Sequence, residues 1–177
     1  GSFSKLTSIE ELEINGTELK DVSPIEQLTN LKILDISENQ IEFLPENMEN
    51  LQKLEELYLY GNKIDDILPL ETLTNLSNLA LNYNNVKDIL PIKNMSKLAR
   101  FNASNNNIAD ISVIENLPNL ISFAAHINKI TILPDNFSDL KKLNYLDLSY
   151  NEILELPAMA GLDSLKTLYL GHNEISD

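Results

Sequence analysis

The feature that most constrains this chain is a repeating pattern of leucines. The pattern Leu-x-x-Leu-x-Leu, with some isoleucine, phenylalanine or alanine substitutes, recurs at intervals of 22 or 23 residues. Its starts are Ile9, Leu31, Leu54, Leu76, Leu98, Leu120, Leu143 and Leu165. A unit of this length cannot bury its own apolar side, so successive units must stack and share one continuous core.

The ninth position of each unit carries asparagine, except in the first unit. The column reads Thr17, Asn39, Asn62, Asn84, Asn106, Asn128, Asn151 and Asn173. An amide both donates and accepts hydrogen bonds, so a buried column of asparagines can satisfy turn backbone groups that would otherwise be unpaired. Prolines in the short return segments, such as Pro69 and Pro91, favour loops and 3-10 turns over full helices.

Period, leucine spacing and asparagine together are the signature of leucine-rich repeats. The predicted fold class is an α/β leucine-rich-repeat solenoid, with a curved parallel β-sheet on the concave side and loops and 3-10 turns on the convex side. We expect a single domain of about eight repeats over residues 3–177 and interpret residues 1–2 as a cloning scar. Leu6 stands before Ile9 as Leu28 stands before Leu31, so we also expect the chain to begin within an earlier repeat.

Two repeats exchange large and small residues at core positions. The fourth position carries Phe101 and Phe123, and in the same two repeats the sixth position shrinks to Ala103 and Ala125. This exchange conserves volume, which is the condition under which a packed core tolerates substitution. We therefore predict that both phenylalanines belong to the core and do not form a ligand site.

Composition excludes several classes of function. Acidic residues outnumber basic ones 27 to 13, and the net charge of −14 repels phosphates and anionic lipids, so we expect no nucleic-acid partner. No apolar run approaches the ~20 residues that cross a bilayer, so we expect no membrane insertion. The chain has no cysteine and no phosphate-binding or zinc-binding motif, so we expect no cofactor and no metal.

A column of aspartates leaves one alternative open. Asp21, Asp66, Asp88, Asp110 and Asp177 each follow the ninth position by four residues. Stacked carboxylates can bind calcium, but an aspartate in a turn more commonly accepts hydrogen bonds from the backbone N–H groups that follow it. We favour the second interpretation.

All six tyrosines occur at positions predicted to face solvent on the concave side, namely the third, fifth, seventh and eighth of each repeat. Both histidines also fall there, and none of the five phenylalanines does. A side chain with an apolar ring and a polar tip is typical of protein-binding surfaces, so we interpret this face as a recognition surface. The alternative is that tyrosines on adjacent strands merely shield the sheet.

The predicted ligand-binding residues are concave-face residues with aromatic, amide or charged side chains. They are Glu13, Asp35, Tyr58, Tyr60, Asn82, Tyr83, Arg100, Asn102, His126, Tyr145, Tyr150 and Tyr169. Between the tyrosines, Ala80 and Ala124 predict a trough that a protruding partner side chain can enter. Carboxylates gather at the N-terminal end of this face, where they can steer a basic partner or simply keep the surface soluble.

No catalytic residues are predicted. His126 and His172 have side chains that can act as bases, but they lie two repeats apart, so we do not expect them to share one compact site. We therefore expect no enzymatic activity.

The units "NKIDDILPLETLTNLSNLAL" and "NNVKDILPIKNMSKLARF" resemble the 22-residue repeats of the internalin family of bacterial surface proteins. The matching positions include Asn62, Ile64, Asp66, Ile67, Pro69, Leu70, Leu73 and Leu76. The two 23-residue repeats, with "EFLPENMENLQKL" and "TILPDNFSDLKKL", resemble broader bacterial and intracellular leucine-rich repeats instead. Both resemblances imply binding of a partner by the concave face, without catalysis.

The sequence therefore predicts a protein–protein interaction module that binds a protein or peptide ligand, one that could be basic, through its concave sheet. We favour a secreted or cell-surface, adhesin-like bacterial protein, with a cytoplasmic location as the alternative. Two other functions stay open: an intracellular scaffold or regulatory subunit, and a passive or self-associating structural array. The sequence does not indicate the oligomeric state.

Overall fold

Three-residue β-strands recur once per repeat, each beginning two residues after the start of the leucine pattern. The structure is a computed structural model that describes residues 5–176. Within this range all eight strands pair in parallel, in chain order, in one sheet. The strands are Glu11–Glu13 (β1), Ile33–Asp35 (β2), Glu56–Tyr58 (β3), Asn78–Ala80 (β4), Arg100–Asn102 (β5), Ser122–Ala124 (β6), Tyr145–Asp147 (β7) and Thr167–Tyr169 (β8).

Strand pairing keeps the repeats in phase. Leu34 pairs with Leu57, and Leu57 pairs with Leu79, so the fourth positions of successive repeats align across the sheet. Alternate side chains of a strand point to opposite sides, so the fourth position enters the core while the third and fifth face solvent. From β2 to β7, every fourth-position side chain is buried.

The return segments contain 3-10 turns, and no α-helix occurs in residues 5–176. Pro24, Pro69 and Pro91 each stand in the first turn of their 3-10 segment, where a missing backbone N–H costs nothing. The segments are Ser23–Gln27 (η1), Met48–Asn50 (η2), Leu68–Leu70 (η3), Leu90–Asn94 (η4), Ser112–Asn116 (η5) and Asp135–Asp139 (η6). The predicted solenoid, with a parallel sheet on one side and 3-10 turns on the other, is confirmed.

The core contains the two predicted phenylalanines. Phe101 and Phe123 are buried, and their rings stack with centroids 5.6 Å apart. Ala103 and Ala125 are fully buried beside them. The predicted exchange of a large residue for a small one is therefore confirmed.

The asparagine column forms the predicted ladder. The Nδ2 of Asn106 donates to the carbonyl of Ala103 in its own repeat, at 3.1 Å, and to that of Leu81 in the preceding repeat, at 3.0 Å. Its Oδ1 accepts the backbone N–H of Val86, also in the preceding repeat, at 2.9 Å. Each asparagine therefore closes its own turn and also bonds to the coil before it.

The aspartate column caps the return segments. Asp66 Oδ1 accepts the backbone N–H of Leu68 at 2.8 Å, and Asp88 accepts that of Leu90 at 2.8 Å. Asp21 and Asp110 accept the backbone N–H groups of Ser23 and Ser112 in the same way, at 2.9 and 2.7 Å. The capping interpretation is confirmed for these four, whereas Asp177 lies outside the described residues. In the region the structure describes, no group of three or more His, Cys, Asp or Glu side chains could hold a metal ion.

One sequence expectation about the solvent-facing positions is wrong in part. The strands end at the fifth position, and the seventh is not uniformly exposed, since Ser37 and Ser104 are buried there. The chain turns inward after each short strand, so a small side chain at the seventh position is covered by its neighbours. Among residues 5–176, no helix is long and apolar enough to cross a membrane.

Candidate functional site

We call the solvent-facing side of the sheet, formed by the third, fifth, seventh and eighth positions, the open face. All twelve predicted ligand-binding residues lie on it, and none of them is buried. Arg100 and Tyr145 occupy the third position, and Tyr83 and Tyr150 the eighth. The seventh position has Tyr60, Asn82 and His126, and the fifth has Glu13, Asp35, Tyr58, Asn102 and Tyr169. The structure thus places the whole predicted set on one surface.

Tyr58 is held in a network across two strands. Its hydroxyl donates to the carboxylate of Glu56 and accepts a hydrogen bond from Asn78 Nδ2 at 2.9 Å. Burial, followed by the hydrogen bond and charge of Glu56, raises the pKa of Tyr58 to about 12. The phenol is therefore neutral at physiological pH and fixed in orientation before any partner arrives.

Tyr60 lies beside a second carboxylate. Burial, followed by the negative charge of Glu38, raises the pKa of Tyr60. The third, fifth and eighth positions of the first three repeats carry a group of carboxylates. In the sequence, Arg100 is the only lysine or arginine at any third, fifth, seventh or eighth position. These carboxylates are Glu11, Glu13, Asp35, Glu38 and Glu56. The N-terminal half of the open face therefore combines two neutral phenols with a negative field.

The middle of the open face is lined by small side chains. Ala80, Ser122 and Ala124 lie on β4 and β6, between Tyr58 on β3 and Tyr145 on β7. Neighbouring strands are ~4.8 Å apart, so these two tyrosines stand about 19 Å from each other across the trough. Arg100 on β5 is exposed within it and forms no ion pair in the described part of the chain. Within residues 5–176, the trough thus offers one cation without an ion pair, Arg100, between Tyr58 and Tyr145.

The C-terminal half of the open face carries two aromatic pairs. Tyr145 and Tyr169 meet edge to face, with ring centroids 5.9 Å apart. Tyr150 stacks on His172, with ring centroids 4.0 Å apart and planes 12° from parallel. Burial, followed by the charge of Asp147, raises the pKa of Tyr145. His172 was absent from the predicted set. It occupies the eighth position of its repeat, as Tyr150 does in the preceding repeat, so the sequence could have predicted that the two side chains are neighbours.

Asp147 is a further member of the surface that the predicted set missed. Its Oδ2 lies 3.3 Å from Nδ1 of His126, while the other ring nitrogen of His126 lies 3.4 Å from Nδ2 of Asn105. The contact with Asp147 is poorly aligned for a hydrogen bond, since Nδ1 of His126 has no hydrogen-bond partner by geometry. The contact places the imidazole beside Asp147, on β7.

Three fifth-position side chains also have a local structural role. Asp35, Asn102 and Asp147 each accept the backbone N–H of a serine two residues later, at 3.0, 3.1 and 3.0 Å. These serines are Ser37, Ser104 and Ser149. One oxygen of each side chain is therefore committed to the turn that ends the strand. The second polar atom of Asp35 and of Asn102 remains for a ligand, whereas Oδ2 of Asp147 already contacts His126. The Asx-x-Ser spacing is visible in sequence and could have revealed this role.

The eighth position of every repeat adopts the left-handed backbone conformation. Gly16 and Gly61 are suited to it, and the other six residues adopt it with φ between 52° and 59°, although glutamate, tyrosine and isoleucine rarely do so. Those six are Glu38, Tyr83, Asn105, Ile127, Tyr150 and His172. Ile127 is β-branched and 46% exposed, so neither backbone preference nor burial accounts for its presence. Sequence analysis did not foresee this turn and therefore missed Ile127.

Family models match three parts of the chain. Two models described as leucine rich repeat match residues 125–175 and 53–74, and a model of two leucine rich repeat copies matches residues 7–47. Together with the eight in-phase strands and the asparagine ladder, these matches define a class: the chain belongs to the leucine-rich repeat proteins. This class supports a general role as a protein-interaction module.

Solved structures narrow the class. Internalin C2 from Listeria monocytogenes superposes with a TM-score of 0.92 at 30% identity, covering 97% of this chain and 75% of that one. Another internalin from that species, InlF, gives a TM-score of 0.67 at 29% identity, covering 98% of this chain and 64% of that one. The chain is therefore an internalin-like leucine-rich repeat protein.

Two other relatives are longer than this chain or match only part of it. A leucine-rich repeat protein of Leptospira interrogans superposes with a TM-score of 0.93 at 31% identity over 98% of this chain, which spans 46% of that protein. Lumican from Oryctolagus cuniculus is 57% identical over 42 residues, which is 23% of this chain and 21% of lumican. The match thus covers under half the length of each of these two relatives.

Proposed function

We propose that this protein is a recognition module that binds a folded protein or an extended peptide across its open face. One observation carries the proposal: every tyrosine in the chain lies on that face, and no phenylalanine of residues 5–176 does. Phe101, Phe123 and Phe137 are buried, and Phe43 is exposed in a return segment. A ring with a hydroxyl remains hydrated in the free protein and still offers apolar area to a partner, which phenylalanine cannot do as well.

Two further features support recognition. The rings are held before binding, Tyr58 by Glu56 and Asn78 and Tyr150 by its stack on His172, so less side-chain entropy is lost when a partner binds. Bulky side chains also occupy the left-handed turns, where glycine or asparagine would strain the backbone less. Tyrosine and isoleucine at these turns cost backbone strain, and contact of their side chains with a partner would offset that cost.

The size and charge of the open face favour a partner with a basic segment. Eight strands at ~4.8 Å spacing give a face about 34 Å long, which accommodates a standard interface of roughly 800 Å² per partner. The carboxylates around Tyr58 and Tyr60 attract cationic side chains and accelerate association. Arg100, in the trough, suits a single acidic group on the same partner.

We also propose that the protein acts outside the bacterial cell, secreted or displayed on its surface in an adhesin-like role. The support is that similar chains occur in Leptospira interrogans and Listeria monocytogenes. Protease treatment of intact source cells should remove the protein, while a cytoplasmic marker protein survives. Protection until the cells are lysed would instead favour an intracellular scaffold or regulatory subunit.

The open face is tested by replacing Tyr58, Tyr60 and Tyr83 together with alanine. Peptides selected from a displayed random library against the wild-type protein serve as probes, and their affinities are measured by biolayer interferometry. We expect the triple variant to bind these peptides at least about tenfold more weakly, a loss of ~1.4 kcal/mol or more, with little change in thermal stability because all three rings are partly exposed.

The matched control is Ile132→Ala, which removes an apolar side chain that is 74% exposed in the return segment between β6 and β7. It should leave the same affinities unchanged. Equal binding by the triple variant and the wild type would reject the proposal. Sedimentation that depends on wild-type concentration, and that the tyrosine changes abolish, would favour a self-associating array instead.

A further inference from the structure

Exposed leucines in two adjacent return segments have no role in the fold. Leu68 and Leu90 begin η3 and η4, and each is 54% exposed. Ser23 and Ser112 stand in the same place in the first and fifth repeats, with the same aspartate cap on the backbone N–H. Since serine serves this turn equally well, the turn itself does not require leucine.

These leucines belong to a larger apolar patch. The segments η3 and η4 pack side by side, with Cα atoms within 8 Å of each other. In the preceding repeat, Phe43 is 75% exposed, and Glu46 lines both the depression beside Phe43 and the one beside Leu68. Single exposed apolar residues are normal, but one in each of three consecutive repeats marks an interaction surface. We call this set the return-side patch.

The surroundings of the patch are strongly acidic. A depression of about 280 Å³ beside Leu68 is lined by four carboxylates, those of Glu46, Glu49, Asp66 and Glu71, and by no cation. Beside Leu90, Asp88 and Asp110 face one lysine, Lys87. An apolar centre with an acidic rim is complementary to apolar side chains flanked by lysine or arginine, and it opposes a second copy of the same patch.

We propose that the return-side patch is a second docking surface, which takes a cationic amphipathic segment of a partner protein. Apolar side chains of that segment lie on Leu68, Leu90 and Phe43, and its lysines or arginines meet the carboxylates around Leu68. An amphipathic helix suits this arrangement, because its side chains at i, i+3 and i+4 recur every 5–6 Å or so, a spacing compatible with neighbouring coils. The patch lies on the return segments and not on the sheet, so it is independent of the open face.

The test is a double substitution, Leu68→Ser with Leu90→Ser, which copies the residues that the first and fifth repeats already use. The probe is a fluorescent amphipathic peptide with leucine on one face and lysine on the other, and its binding is measured by anisotropy. The wild type should bind it more tightly than about 1 mM, and the double variant at least about tenfold more weakly, with an unchanged thermal midpoint. Leu154→Ser, in the return segment between β7 and β8 where the side chain is 50% exposed, is the matched control and should bind like the wild type. Tyr83→Ser, where the ring is 58% exposed, reports any binding of the peptide to the open face instead.

Five outcomes would overturn the proposal. Equal binding by the wild type and the double variant would show that Leu68 and Leu90 do not contact the peptide. A loss of affinity confined to Tyr83→Ser would show that the peptide binds to the open face. Equal binding of a peptide with glutamate in place of lysine would show that charge does not contribute to binding. A wild-type dissociation constant above about 1 mM would show that the patch is not a binding site. A wild-type dimer that the double variant abolishes would assign the patch to a second copy of the chain instead.

Discussion

Replacing Asn106 with alanine tests the physical basis of the coil stack. The substitution leaves the buried backbone N–H of Val86 without an acceptor, because Oδ1 of Asn106 is its hydrogen-bond partner. An unsatisfied buried donor costs about 1–3 kcal/mol. The carbonyls of Leu81 and Ala103 lose one donor each but keep another from Asn84 and Asn128, so their contribution is smaller. We expect a total loss of about 3 kcal/mol in the free energy of unfolding.

Urea denaturation measures this loss as the shift in midpoint multiplied by the slope of the transition. Asn107→Ala is the matched control: this neighbouring residue uses its backbone N–H, and no side-chain hydrogen bond is found for it in the described region. The control should lose less than about 0.5 kcal/mol. A loss below about 1 kcal/mol for Asn106→Ala, or equal losses for the two variants, would refute the idea that the ladder couples the coils.

Two further predictions concern the open face. The pKa of Tyr58 is raised to about 12 from the ordinary tyrosine value of 10.0, so its contribution to stability is complete below pH 10 and declines as the pH rises through the folded-state pKa. Ultraviolet difference absorbance should show one phenol titrating late, and Tyr58→Phe should abolish that phase; its persistence would assign it to another tyrosine. Ile127→Asn should change the free energy of unfolding by no more than about 1 kcal/mol, because asparagine tolerates the left-handed turn and occupies it at Asn105. Ile130→Asn, at a fully buried position, should cost about 3 kcal/mol or more, and a similar cost at both sites would contradict the exposed role of Ile127.

Much of the fold was predictable because every coil must bury the same apolar positions and close the same turn. The spacing of Leu54, Leu57 and Leu59 indicates which side chains enter the core, and the structure buries all three. The ninth-position asparagines were predictable for the same reason, since every coil needs its turn closed. The twelve ligand-binding residues share one face because the phase of the repeat carries over from strand to strand. Whether they bind a partner stays a prediction.

Other features depend on distances that a one-dimensional pattern does not contain. The contact between Tyr58 and Asn78 joins two coils, and it depends on rotamers as well as on register. The exposure of Leu68 could not be read from its residue type, since leucine elsewhere in the repeat is buried. Sequence analysis therefore located the open face but passed over the return-side patch.

By itself, the sequence determined the phase of the coils, the identity of the core and the face on which the tyrosines lie, because stacked units can share a core only if their apolar positions recur in step. The tertiary structure alone decided the left-handed turn at Ile127, the burial of Ser37 and the pairing of Tyr150 with His172. These features arise where one coil meets the next, and the energy of such a contact depends on geometry between chain segments that lie about one repeat apart.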